Sequence, residues 1–198
     1  SFTAVDGISL TIYEGEIFAI LGPNGAGKTS TVEILEGFRT ADSGEISVLN
    51  TDPAIKGAAA LAWRNRIGIV LQSTQDTAEL TVREAITHFA SYYSNPRGVE
   101  EVISLVGLQE KADDRARTLS GGQRRRLDVG LGIIGRPEVL FLDEPTTGFD
   151  PEARRAFWVL IKKLRDEGTT ILLTTHYLDE AEALADRVAV MNAGEIIE

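Results

Sequence analysis

One eight-residue stretch limits the folds open to this chain more than any other feature. Residues 22–29 read Gly-Pro-Asn-Gly-Ala-Gly-Lys-Thr and fit the pattern G-x-x-x-x-G-K-[ST]. They follow directly on the apolar run 17–21 and open a stretch with helical character. Glycines allow a tight turn between a strand and a helix, so several backbone N–H groups point at one spot beside the helix N-terminus. The stretch therefore predicts a phosphate-binding loop in an α/β fold.

The side chains of this loop add chemistry to its backbone. Lys28 places a positive charge near the β- and γ-phosphates of a nucleotide, and the Thr29 hydroxyl is a ligand for the Mg²⁺ that accompanies it. We expect the nucleotide to contact Gly22, Pro23, Asn24, Gly25, Ala26, Gly27, Lys28, Thr29 and Ser30. The loop by itself leaves kinases, GTPases, helicases and transporter ATPases open.

Bulk composition narrows the classes of partner. The formal charge of −10 argues against nucleic acid, because binding a phosphate backbone requires a surplus of Lys and Arg. The chain has no cysteine, which excludes disulfides and thiolate metal sites. No apolar stretch approaches the roughly 18 to 20 residues that cross a bilayer. The 198 residues are enough for one sizeable core, and we expect both natural termini to lie beyond the given ends.

The order of predicted elements indicates an α/β fold with a mainly parallel sheet. Alternating apolar residues at 8–12 and a strand at 45–49 predict an N-terminal antiparallel β part. Further strands are predicted at 17–21, 67–71, 139–142, 170–174 and 188–191. Signals between 73 and 136 are mostly helical. We therefore expect a single domain with a nucleotide-binding core (1–72 and 137–198) and a helical subdomain insert (73–136).

Two carboxylates follow the buried-type strand at 139–142. Asp143 and Glu144 come at its C-terminal end, where open α/β sheets place their ligands. We expect Asp143 to hold Mg²⁺ through water and Glu144 to polarise the attacking water. Together with the phosphate loop, the pair predicts nucleotide hydrolysis.

A second predicted anion site begins the helix that follows residue 120. Ser120 is placed to cap this helix, and Gly121 and Gly122 expose amide N–H groups beside Gln123. The pentapeptide 119–123, Leu-Ser-Gly-Gly-Gln, resembles the signature sequence of ATP-binding-cassette (ABC) ATPases, and it precedes the Asp143 strand as in that family. The resemblance covers essentially the whole chain. It implies a P-loop NTPase (RecA-like) core that uses ATP and Mg²⁺.

The resemblance also suggests roles for isolated positions. Gln72 resembles the Q-loop glutamine, which contacts Mg²⁺ or the attacking water and links the nucleotide to the membrane partner. His176 resembles the switch histidine that contacts the γ-phosphate. Residues 147–150 resemble the D-loop, with Phe149 where Leu is common, and Asp150 both caps a helix and contacts the other copy. Phe2 is the aromatic residue near the place where the family stacks adenine.

The family resemblance implies an assembly as well as a reaction. One triphosphate cannot occupy two anion sites of a monomer, and in the family the signature of one copy closes on the nucleotide held by the other. A head-to-tail homodimer is therefore expected. Residues 177–182, Tyr-Leu-Asp-Glu-Ala-Glu, are similar to drug and antibiotic exporters served by a separate membrane permease. That similarity implies a peripheral location on the cytoplasmic face of the cell membrane.

Two other classes of cassette protein stay open at this point. Cassette proteins that act on ribosomes carry two cassettes joined by a linker, whereas one cassette is seen in this sequence. Chromosome-maintenance and DNA-repair ATPases split the cassette with a long coiled coil, and no sustained heptads are present. GTPases are disfavoured because the sequence has no Asn-Lys-x-Asp guanine motif.

Overall fold

A six-stranded sheet forms the centre of the fold, in the order β2-β3-β4-β1-β5-β6. The computed structural model describes residues 3–70 and 77–198. The strands are β1 (Ile17–Leu21), β2 (Ile67–Val70), β3 (Val139–Asp143), β4 (Thr170–Thr175), β5 (Arg187–Asn192) and β6 (Glu195–Ile196). Neighbouring strands are parallel except for β5 and β6, which pair antiparallel. The predicted α/β class with a mainly parallel sheet is confirmed.

Seven α-helices accompany the described part of the sheet. They are α1 (Lys28–Leu35), α2 (Ala58–Arg64), α3 (Val82–Ala90), α4 (Val99–Leu105), α5 (Gly121–Ile133), α6 (Pro151–Asp166) and α7 (Leu178–Leu184). Two 3₁₀ turns, Gln109–Lys111 and Ala116–Thr118, precede α5. Helix α6 illustrates why the sequence folds this way, because Asp150 caps it, Pro151 occupies its first turn, and Phe157 and Ile161 are buried on one face. No helix within 3–70 or 77–198 is long and apolar enough to span a membrane.

Both faces of the sheet are covered, which explains the near-continuous apolar strands. On one face, Ile17 and Ala19 of β1 join a core that includes α3, α4, α5 and α6. On the other face, Phe18 and Ile20 pack with Val32 of α1 and with residues of α2 and β5. Alternate residues of the same strand therefore serve two separate cores, and β1 is held between them.

The structure differs from the expectation of an N-terminal antiparallel β part. In the described chain, residues 8–12 and 45–49 add no strand to the sheet, and Val48 makes only an isolated bridge with Thr51. Ile8, Leu10 and Ile12 still alternate in burial and pack on the second core. Alternation encodes which side chains are buried, whereas a strand also requires a partner backbone in register. Antiparallel pairing occurs instead between β5 and β6.

Candidate active site

The glycine loop leaves β1 at Leu21 and enters α1 at Lys28, as the motif predicts. A Cβ atom on Gly22 would lie 2.2 Å from the carbonyl oxygen of Met191 on β5. Gly27 has a φ of 105°, and a Cβ atom there would lie 2.3 Å from the carbonyl oxygen of Ala4. Side chains at these two positions are therefore excluded, because the loop is wedged between β5 and the N-terminal segment.

Lys28 ties the loop to the acidic end of β3. Its side chain is only 4 % exposed, and Nζ donates hydrogen bonds to the carbonyl oxygens of Gly22 at 2.8 Å and Pro23 at 3.1 Å. The same nitrogen lies 3.2 Å from Oε1 of Glu144. A buried ammonium requires such partners, since an isolated charge is costly to bury. Lys28 thus holds a positive charge at the mouth of the phosphate loop.

Thr29 and Asp143 form an oxygen-rich pair beside Lys28. The Thr29 hydroxyl donates to Oδ2 of Asp143 at 3.0 Å, and the Thr174 hydroxyl donates to Oδ1 of the same carboxylate. These hard oxygen donors suit Mg²⁺, which binds through one or two protein oxygens plus phosphates and water. The described residues contain no cluster of three or more His, Cys, Asp or Glu that would form an all-protein metal cage. The donor set therefore fits a cation that arrives with a nucleotide.

Glu144 occupies a sharp corner directly after β3. Its φ of 43° is unusual for a residue with a side chain, and its N–H donates to the backbone oxygen (3.2 Å) and the hydroxyl (3.0 Å) of Thr174. This corner directs the carboxylate between Lys28 and His176, whose Nδ1 lies 3.3 Å from Oε2. Burial acts to raise the pKa of Glu144, but the hydrogen bond and charge of Lys28 and the charge of His176 outweigh burial and lower it. The carboxylate is therefore ionised at neutral pH, as a base must be.

His176 follows β4 and is half-buried beside Glu144. Its Nδ1 lies 3.3 Å from Oε2 of Glu144 but makes no aligned hydrogen bond with any described group. The structure thus brings Lys28, Thr29, Asp143, Glu144 and His176 together at the C-terminal edge of three parallel strands.

The predicted signature segment lies at the start of α5. Ser120 caps the helix, since its hydroxyl accepts from the N–H of Gln123 at 3.3 Å while the Gln123 side chain accepts from the N–H of Ser120 at 2.9 Å. Ser120 and Gly121 are exposed, and Gly122 is partly covered. An exposed helix N-terminus offers backbone donors to an anion outside the chain.

The remaining predicted residues fall into two groups. Phe2 and Gln72 lie outside the described residues. Asp150 lies at the N-terminus of α6, where its carboxylate accepts from the N–H groups of Glu152 and Ala153, both at 2.9 Å. The hydrogen bond from Ala153 is the main cause that lowers the pKa of Asp150. The predicted role of Asp150 as a helix cap is therefore present in the structure.

Sequence reasoning missed two residues that support the site. Thr174 ends the predicted strand 170–174 and had no predicted role, yet its hydroxyl donates to Asp143 and accepts from the backbone N–H of Glu144. No role was predicted for Arg125, yet its buried guanidinium donates to the carbonyl oxygens of Asp143 (3.0 Å) and Pro145 (3.2 Å). Both contacts join segments that are remote in sequence. The arginine run 124–126 was the available signal, because buried arginines require several acceptors.

Comparisons with known proteins agree with this geometry. The family model described as "ABC transporter" matches residues 5–147. The chain is 44 % identical over 198 residues to the Nod factor export ATP-binding protein I of Rhizobium meliloti (strain 1021), covering 98 % of this chain and 58 % of that protein. It is 38 % identical over 200 residues to the linearmycin resistance ATP-binding protein LnrL of Bacillus subtilis (strain 168), covering 98 % and 63 %. The chain therefore spans about three fifths of the length of these curated relatives.

A solved structure shows the same fold. It is cbiO1 from Clostridium perfringens, described as part of the ABC transporter complex cbiONQ. The TM-score is 0.89 at 30 % identity, and the match covers 98 % of this chain and 80 % of that one.

Proposed function

The chain belongs to the ABC transporter family, and we propose that it is the ATP-binding and ATP-hydrolysing subunit of an exporter. In this exporter the membrane permease is a separate subunit. Relatives named for Nod factor export and for linearmycin resistance support export over the ribosome-acting and DNA-repair classes. On this proposal the protein lies on the cytoplasmic face of the membrane, attached through the permease. We infer a drug or antibiotic as the exported compound, and the relative named for linearmycin resistance supports this choice.

The observation that carries the hydrolytic part is the position of the Glu144 carboxylate. One oxygen lies 3.2 Å from Nζ of Lys28 and the other 3.3 Å from Nδ1 of His176. A general base must be ionised and held within reach of the nucleophile, and a phosphate-binding lysine must stand beside it. In our proposal Glu144 accepts the proton of the attacking water, and His176 orients Glu144 toward the γ-phosphate.

The other residues of the site bind and orient the nucleotide. The backbone amides of residues 22–30 surround the phosphates, and Lys28 contacts their β- and γ-oxygens. Thr29, Asp143 and Gln72 are the proposed residues that hold Mg²⁺, which supplies charge neutralisation on the phosphates when bound. Phe2 is the proposed contact of the adenine ring.

We propose that the site is completed by a second copy of the chain. Ser120, Gly121, Gly122 and Gln123 at the exposed start of α5 contact the γ-phosphate held by the partner's loop, and Asp150 contacts the partner across the interface. Closing two such copies head to tail on ATP, and releasing them after hydrolysis, is a ligand-biased two-state switch. Residues 1–72 and 137–198 form the nucleotide-binding core in this scheme, and residues 73–136 form a helical subdomain that carries the signature segment.

The substitution Glu144→Gln tests the hydrolytic proposal. The amide cannot accept the proton, so we expect phosphate release to fall by roughly 10²- to 10⁴-fold while ATP binding persists and an ATP-bound dimer accumulates. Phosphate release, ATP affinity and size-exclusion elution are the measurements. Glu182→Gln, an exposed change on α7, is the matched control and is expected to behave like the parent chain. Near-normal phosphate release by Glu144→Gln would exclude Glu144 as the base.

A further inference from the structure

Arg154 makes contacts that none of the proposed roles uses. It lies in the first turn of α6, four residues after the cap Asp150, and its side chain is 21 % exposed. The guanidinium carbon stands 4.6 Å from the centre of the Tyr177 ring, and Nη1 lies 3.2 Å from Oδ2 of Asp179. Nε is buried and bonds to no group in the described part of the chain. The ring face and one carboxylate therefore hold this cation.

The Tyr177 ring in turn packs on His176. The two ring centres are 4.0 Å apart and the ring planes differ by 40°. The backbone N–H of Tyr177 donates to the hydroxyl of Thr175 at 3.0 Å, which fixes the turn that leaves β4. The Tyr177 ring thus contacts both Arg154 and His176.

The orientation of His176 depends on such packing. Its Nδ1 lies 3.3 Å from Glu144, but no well-directed hydrogen bond from the described residues fixes that nitrogen. The Tyr177 ring packed on the imidazole restricts how the imidazole can turn, because neighbouring aromatic rings have preferred geometries. The only ring contact recorded for His176 among the described residues is the one with Tyr177.

We propose that Arg154 is a positioning residue that acts through the Tyr177 ring to hold His176 against Glu144. This proposal rests on the proposed ATPase function and deepens it. Because Arg154 lies in the same turn as Asp150 and Ala153, a displacement of the α6 N-terminus reaches His176 through two contacts, the guanidinium on the tyrosine ring and the tyrosine ring on the imidazole. The start of α6 is thereby coupled to the group that orients the base.

The histidine content of the chain provides a direct readout. The chain has two histidines, His176 and His88. His88 lies on α3, where Nε2 is 2.8 Å from the Tyr92 hydroxyl, and it serves as an internal reference. A ¹H–¹³C spectrum of histidine-labelled protein therefore contains one Cε1–H signal for each of the two imidazole rings. The nearby Tyr177 ring makes the His176 signal sensitive to ring position.

The test uses four single variants of the full chain and the double variant that combines Arg154→Met with Tyr177→Leu. Arg154→Met removes the charge and keeps the length, and Tyr177→Leu removes the ring. Tyr177→Phe keeps the ring and is the conservative rescue. Lys162→Met is the matched control, an exposed change from a basic residue to Met on the same helix. The His176 and His88 signals, ATP affinity and phosphate release are measured for each variant.

We expect Arg154→Met and Tyr177→Leu to shift the His176 signal while the His88 signal stays in place. ATP affinity should be unchanged, and phosphate release should fall about tenfold, within the roughly hundredfold loss that misplacing a reacting group causes. Tyr177→Phe should keep both the signal and the rate close to the parent values. The double variant should be no slower than either single variant, because both act through one contact.

The following results would overturn the proposal. A His176 signal that stays in place in Arg154→Met shows that Arg154 does not position the imidazole, whatever the rate does. A shifted signal with unchanged phosphate release shows that the contact does not serve the reaction. A parent chain that hydrolyses no ATP contradicts the proposed function instead, and the His176 signal then still decides whether Arg154 orients the ring.

Discussion

A methyl group on Gly122 would lie 3.1 Å from Cβ of Ala153, whereas one on Gly121 would meet nothing within 4 Å. The two neighbouring glycines therefore face different surroundings. A Cβ atom on Gly122 would face the first turn of α6. A Cβ atom on Gly121 would face open space. Gly122 lets α5 approach α6 closely, and the space beside Gly121 is open.

This difference predicts distinct outcomes for Gly122→Ala and Gly121→Ala. Gly122→Ala should lower phosphate release because it pushes the start of α5 away from α6, and Ala153→Gly in the same chain should restore most of the rate. Gly121→Ala should leave monomer stability and ATP affinity intact and reduce the ATP-bound dimer, since its methyl group obstructs only a second copy. Phosphate release and size-exclusion elution are the measurements.

Ala153→Gly alone is the control, and its cost should be limited to about 1 kcal/mol of helix stability. Rescue of Gly121→Ala by Ala153→Gly would contradict the assignment, because Gly121 has no contact with α6 to relieve. If Ala153→Gly failed to restore phosphate release in Gly122→Ala, the proposed contact between Gly122 and α6 would also be contradicted.

The raised pKa of Glu36 predicts that this residue makes stability depend on pH. It is the C-cap residue of α1, and burial, followed by the negative charges of Asp143 and Glu33, raises its pKa from 4.5 to about 7. The folded chain therefore binds a proton more tightly than the unfolded chain. The stability that Glu36 contributes is fully present below pH 4.5, is lost as the pH rises through about 7, and changes no further above that value.

The variant Glu36→Gln should lack this decline. Measured without Mg²⁺ or nucleotide, the free energy of unfolding of Glu36→Gln relative to the parent should increase by on the order of 1 to 3 kcal/mol between pH 5 and pH 8. Urea unfolding at the two pH values gives the comparison. Glu182→Gln should show a difference that does not change with pH. A pH-independent difference for Glu36→Gln would show that its carboxyl titrates normally.

Of the arginines at 124–126, Arg125 is expected to contribute strongly to the free energy of unfolding. Its guanidinium donates to the backbone oxygens of Asp143, Pro145 and Val70 at 3.0, 3.2 and 3.5 Å. Arg125→Leu should cost roughly 2 to 4 kcal/mol in urea unfolding, because buried carbonyl oxygens lose their donor. The neighbour Arg126 is half-buried and donates to the Gly107 carbonyl oxygen, so Arg126→Leu should cost about 1 kcal/mol. Equal losses of unfolding free energy for the two variants would contradict the view that the hydrogen bonds of Arg125 stabilise the fold more than that of Arg126.

The sequence motifs and the predicted strands were enough to predict which residues meet in much of the candidate site. Lys28 and Thr29 follow one strand, Asp143 and Glu144 a second, and His176 a third, so a parallel sheet brings their side chains to one edge. Contacts between segments that are remote in the chain could not be predicted, because they have no local sequence pattern. The Gly122–Ala153 packing and the Arg154–Tyr177 contact depend on how α5, α6 and α7 meet. The alternation at residues 8–12 predicted their burial but not their lack of a partner strand.

The composite site is tested most directly by mixing two inactive variants. Lys28→Ala disables the phosphate loop, and Ser120→Arg disables the signature segment while leaving ATP binding to the monomer intact, apart from a cap loss of about 1 kcal/mol in stability. A mixed head-to-tail dimer has one site with both defects and one with neither. Phosphate release by an equimolar mixture should therefore recover to about one quarter of the parent rate, since half of random dimers are mixed and each has one intact site of two. A mixture no faster than the sum of the separate variants would show that the signature segment does not act on the partner's nucleotide.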